Sequence, residues 1–211
     1  MKKFILPLLL ILTVGMLAAV ESEPSAMVGY VKYDCIVGLN LLALPMDQGY
    51  GLASDIGLQY TGITDAISYF DPITQDWSTA VDLGGFWDND FTVGNGSVLL
   101  MYAYSPFSFY SIGNMYANNA SYNFLTGLNT AMVPLNRIDI ASASQVGMEI
   151  GSDAVSYFDA SAQDWSTAVD LGGFWDNEFS LTIASPFLVY SYSDMTWPAT
   201  AAKRSNIRSS K

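Results

Sequence analysis

An all-β protein of two tandem small units, each a β-sandwich or barrel-like repeat with room for one short helix, is what this sequence predicts. Three observations lead there. The block QDWSTAVDLGGFWDN stands at residues 75–89 and again, letter for letter, at 163–177. The apolar runs are short and bounded by Gly and Pro, as buried strands are. No stretch reads as a strand–helix–strand crossover, so nothing calls for a parallel sheet.

The elements follow in chain order. Lys2 and Lys3 precede an apolar run from Phe4 to Val14 and small residues around Ala18 and Ala19. That is the order of a secretory signal peptide, expected over 1–22 with cleavage after Ala19 or Ser22. A first unit is expected over 26–113. In it Leu39–Leu44 and Ser97–Tyr104 read as buried strands, and Ser68-Tyr-Phe leads into an Asp71-Pro72 turn. Gly84–Phe91 reads as a hairpin turning at Asp88-Asn89, and a helix is expected to start at Ser54-Asp55 with Ser as its cap. The second unit, 114–198, repeats this plan with a helix at Ser144-Gln145, and a basic tail, 199–211, closes the chain.

The repeat extends beyond its identical core. Asp65–Phe91 aligns with Asp153–Phe179 with five differences in 27 positions, and Gly38-Leu39-Asn40 with Pro45 aligns with Gly127-Leu128-Asn129 with Pro134. Between these anchors the copies have drifted apart. Something therefore holds the block constant, either its folding or a contact. Packing accounts for Trp77, Leu83, Phe86, Trp87 and Phe91. The polar Gln75, Asp76, Ser78 and Thr79 call for a contact with a neighbouring unit, another copy or a ligand.

The stretches GLNLLALPM, AISYFDPITQDW and FTVGNGSVLLMYA resemble the modules, about 80–90 residues long, of secreted and cell-surface proteins of anaerobic bacteria. The resemblance covers nearly all of the chain after the signal peptide. It implies an exported β-module and supplies no catalytic residues. The second unit departs from the pattern, with Ala184 where the first has Gly96.

Charge and composition exclude several functions. The chain carries a net charge of −12, and between residues 33 and 202 eighteen acidic residues face one basic residue, Arg137. Such a body repels nucleic acid, whose binding runs through Lys and Arg. After the signal no run is long and apolar enough to span a bilayer. The absence of histidine removes Ser-His-Asp and Cys-His catalysis and His-ligated zinc, and the single Cys35 reads as a buried small hydrophobe.

What remains is carboxylate and aromatic. Asp88 with Asp90, and Asp176 with Glu178, offer hard oxygen ligands for calcium, although Asp and Asn are also plain turn residues. A glycosidase needs its two carboxylates across a cleft, which a pair beside one turn does not provide. Trp87 and Trp175 with Trp77 and Trp165 are either core anchors or platforms for sugar rings. Gln75, Asp76, Trp77 and Trp87, and their copies Gln163, Asp164, Trp165 and Trp175, are thus the candidate ligand or self-contact set. The expectation is a secreted, non-catalytic structural or assembly protein of the cell surface or extracellular matrix that associates with itself. The alternative is a carbohydrate-binding module whose partners are surface glycans.

Overall fold

Val28–Cys35 alternates outward and inward residues (Val31, Tyr33 and Cys35 toward the interior, Lys32 and Asp34 outward) and forms β1. The computed structural model describes residues 28–198, so the expected signal peptide and basic tail lie outside the described residues. Gly38–Ala43 is β2, Met46–Asp47 β3, Ala66–Asp71 β4, Asp76–Asp82 β5, Trp87–Asp88 β6, Val98–Ala103 β7 and Phe107–Met115 β8. All pairings are antiparallel. One sheet runs β1-β8-β3 and the other β2-β7-β4-β5-β6. Leu42, Ile67, Leu99 and Met101 from the second sheet meet Cys35 and Phe109 from the first, and this is the core of unit 1. Helix α1, Ala53–Gln59, covers one end of it with Ala53 and Ile56.

Unit 2 repeats the plan. Tyr122–Phe124 is β9, Gly127–Met132 β10, Ala154–Asp159 β11, Asp164–Asp170 β12, Trp175–Asp176 β13, Pro186–Ser191 β14 and Met195–Trp197 β15. The large sheet is β10-β14-β11-β12-β13, in the strand order of its counterpart, and β9 pairs with β15 as β1 pairs with β8. Helix α2, Ala143–Ile150, ends on Gly151 in the left-handed conformation that glycine adopts without cost. At the position of Phe109, unit 2 places Trp197, buried against Phe124 and Phe187. The all-β expectation with one short helix per unit is therefore met.

Three local expectations change. The hairpin turns at Leu83–Phe86 rather than at Asp88-Asn89, because Gly84 and Gly85 take φ +91° and +100°, open to glycine but strained for other residues. The helices start two residues earlier than predicted, after Leu52 and Ser142, so Ser54 and Ser144 lie within the first turn and are not caps. Strand β8 continues through Gly113 to Met115, since its pairing with β1 persists to Val28↔Asn114, and the connection to unit 2 is 116–121. Among the described residues no strand of one unit pairs with a strand of the other.

Candidate functional site

The repeated motifs meet each other across the two units. After β4, Asp71-Pro72 opens a turn that ends on Gln75 at φ +59°. That conformation aims the Gln75 amide away from its own sheet and onto unit 2. Its Oε1 accepts from the Leu128 N–H at 2.7 Å, and its Nε2 donates to the Leu128 carbonyl at 3.1 Å and to its own Pro72 carbonyl at 2.7 Å. Gln163 does the same in reverse. It takes the Leu39 N–H at 2.7 Å and donates to the Leu39 carbonyl at 3.0 Å. Each glutamine side chain thus pairs with a backbone as a strand residue would.

The receptor for each glutamine is the Gly-x-Asn motif. Gly38 and Gly127 have φ +101° and +117°, and a Cβ at either would overlap the opposing glutamine amide. Asn40, 3% exposed, holds the turn before β2 by accepting from Ile36 N–H and donating to the Ile36 and Gly38 carbonyls. Asn129 does the same with Leu125 and Gly127. These are fully satisfied buried amides, the condition under which a polar group in a core fixes one geometry.

The rest of the interface is reciprocal too. Trp77 and Trp165 stack on each other with centroids 6.2 Å apart and planes 28° apart. Each also meets a phenylalanine edge-on, Phe70 and Phe158 respectively. Tyr33 donates to the Ala184 carbonyl at 2.8 Å, and its equivalent Tyr122 donates to the Gly96 carbonyl at 3.0 Å. Burial pushes both phenols well above their ordinary range. Ala43, Val98, Ala120, Met132 and Ala184 fill the space between the units. Contacts in which i meets j and j meets i define an isologous, two-fold type of interface.

Trp87 and Trp175 have a different task. Trp87 is buried, with its indole N–H unpartnered, and Trp175 is half-buried. Each ring lies against a glycine of its unit's helix, Gly57 or Gly147, where a Cβ would collide with it. The glycine in each helix is the seat of the indole. Sequence reasoning passed over Gly57 and Gly147, and took Gly38 and Gly127 as anchors of the repeat without assigning them a contact. The helix glycines did leave a signal, since Gly57 recurs as Gly147 amid diverged neighbours.

The proposed calcium ligands do not converge. The Asp90 carboxylate accepts from Ser54 N–H at 3.1 Å and the Glu178 carboxylate from Ser144 N–H at 3.0 Å, so both cap a helix N-terminus from across the unit. Asp88 and Asp176 are exposed on the edge strands β6 and β13. Among the described residues no group of three or more acidic, Cys or His side chains could hold a metal ion. Asp76 and Asp164 are exposed, and each accepts from the N–H of the tryptophan that follows it.

Most other identical residues of the block have a local duty. Asp82 accepts from Gly84 and Gly85 N–H at 2.9 and 2.7 Å, and Asp170 does so for Gly172 and Gly173. Asn89 and Asn177 fold back onto Ser78 and Ser166 and onto the Thr79 and Thr167 carbonyls. Leu83 and Phe86 depart from expectation. They are 65% and 66% exposed, and Leu171 and Phe174 are 64% and 66% exposed, because the two-glycine turn lifts both side chains off the sheet.

Cys35 lies in the core, and burial pushes its thiol up to about 11, which leaves it protonated and unreactive at neutral pH. The chain matches no family model, no curated protein and no solved structure.

Proposed function

We propose that the chain is a secreted, non-catalytic structural protein of the cell surface or extracellular matrix, built to assemble with further copies of itself. The observation that carries this reading is the pair of identical Leu-Gly-Gly-Phe turns. Both expose a leucine and a phenylalanine to solvent, and no contact among the described residues accounts for their identity. The Gln–Trp contact cannot serve a polymer, because an isologous contact closes on itself and is consumed between the two units. The turns remain open. Each stands at the far end of a seven-residue strand from the Gln75 or Gln163 contact, about 20 Å away at ~3.3 Å per residue. A molecule with two equivalent apolar tips is bivalent, and tip-to-tip contact extends a chain without closing it.

The signal peptide at 1–22 and the resemblance to surface modules support export. The absence of histidine and the buried thiol support a role without catalysis. A carbohydrate-binding role would need other aromatic rings than Trp77, Trp87 and Trp165, which are engaged within the chain.

The test is sedimentation velocity and negative-stain microscopy of the chain lacking residues 1–22. The intact protein should form extended polymers. Leu83→Ser with Phe86→Ser should stop growth at dimers, and adding Leu171→Ser with Phe174→Ser should leave monomers. An intact protein that stays monomeric when concentrated, or polymers that survive all four substitutions, would sink the reading.

A further inference from the structure

The lock between the units leaves two clefts, one on each side, and they have diverged. In the first, Tyr69 and Phe91 of unit 1 face Asn123 and Thr130 of unit 2 across a cavity of about 320 Å³, with Thr92 and Asn95 at its mouth. In the second, of about 400 Å³, the equivalent rings are Tyr157 and Phe179, and Leu41 stands in place of Thr130. At the position of Asn95 unit 2 carries Ile183, while Ser180 takes the place of Thr92 in the second cleft, so the amide of the first cleft has no counterpart there.

We infer that the first cleft binds a neutral oligosaccharide of pyranose sugars. Its volume is at the small end of ligand clefts, about 300–1,000 Å³. Tyr69 and Phe91 make the aromatic wall, with ring centroids 4.5 Å apart and planes tilted by 52°. Such a wall accepts the C–H face of a pyranose. The polar groups around it have capacity to spare. Asn95 spends an amide N–H on the Asn118 carbonyl and keeps its oxygen, and Asn123 accepts from Thr196 and keeps its amide N–H groups. The hydroxyls of Tyr69, Thr92 and Thr130 make no hydrogen bond to another described side chain or carbonyl.

Among the described residues the lining contains no Asp, Glu, Lys or Arg. An anion would find no cation among the described lining residues and a chain of net charge −12 around it, and a cation would find no carboxylate among them. A wholly apolar ligand would strand the amides and hydroxyls without partners. A neutral polyol with one apolar face satisfies both the rings and the polar mouth.

Isothermal titration calorimetry with cellotetraose, mannotetraose, maltotetraose and the tetramer of N-acetylglucosamine tests this. At least one should bind saturably. Asn95→Ile with Thr130→Leu, which introduces the residues found at the equivalent positions of the other unit, should weaken that binding by about tenfold or more, as loss of hydrogen bonds to a ligand does. Asn123→Ala, on an exposed residue, is a second variant with the same expectation. The four tip substitutions should leave the binding unchanged, so this site and the assembly reading stand or fall separately. Absence of binding to all four sugars, or unchanged affinity in both cleft variants, would overturn the inference.

Discussion

Gly57 and Gly147 sit within helices, where glycine costs about 1 kcal/mol relative to alanine. On helix propensity alone, alanine at either should stabilise. The seated indoles reverse the sign. A Cβ there would press into the Trp87 or Trp175 ring, and overpacking of this kind costs about 1–3 kcal/mol. Gly57→Ala and Gly147→Ala should therefore each lower the thermal midpoint, measured by circular dichroism. A raised midpoint would mean that the ring can move aside. Cys35 supplies a second check at this scale. With its thiol buried and protonated, it should react with a thiol reagent such as Ellman's only as the unit unfolds, and rapid labelling of the native protein would contradict its place in the core.

The elements are held by carboxylates and by the glutamine lock, and the two respond to different treatments. Asp55 accepts from the Gly51 and Leu52 N–H groups, and these bonds hold its carboxyl below the usual range. A carboxyl depressed in the folded state stabilises above its unfolded value, about 3.9, and that support is lost as pH falls through the folded value. Asp34, depressed by Lys32, and Asp139, depressed by Arg137, act in the same direction. Stability should therefore fall below about pH 4, and Asp55→Asn should flatten the acid limb of the unfolding curve for unit 1. The lock is insensitive to pH because amides do not titrate. Gln75→Ala with Gln163→Ala removes two interface hydrogen bonds per glutamine, at about 0.5–1.5 kcal/mol each. Calorimetry of that variant should show two separate transitions where the intact chain shows one. A single transition at the original temperature would mean that the apolar contacts alone couple the units.

For the whole molecule the governing quantity is charge. Residues 33–202 carry eighteen acidic groups against Arg137, a net of −17, and Lys203, Arg204, Arg208 and Lys211 lie beyond. Acidic bodies repel one another as they approach. In the proposed assembly a basic segment on each copy would offset that repulsion and steer encounter, while exposed pairs add only about 0–1 kcal/mol each and the apolar tips would supply adhesion. Deleting Lys203–Lys211 should slow association at low salt, followed by light scattering. The difference should vanish near 1 M salt, where the screening length is about 3 Å. Equal rates at low salt would remove the tail from the mechanism.

The sequence by itself determined the fold class, the duplication and the block that recurs unchanged. Periodicity and turn chemistry are local properties, and a repeat is visible wherever its copies survive. It set Gln75, Asp76, Trp77 and Trp87 apart as contact candidates, with packing as the other reading of both tryptophans, since their types and spacing recur intact. The structure then assigned their partners. Gln75 meets Leu128 and Gln163 meets Leu39 because the units face each other reciprocally, and no spacing along one chain encodes which surfaces meet. The same holds for Leu83 and Phe86, whose apolar character suggested packing until the turn geometry put them in solvent. It holds equally for Asp90 and Glu178, which read as metal ligands beside a turn and cap helices that are distant in sequence. Residue type and period are written locally, whereas a partner 34 or more positions away is chosen only when the elements pack.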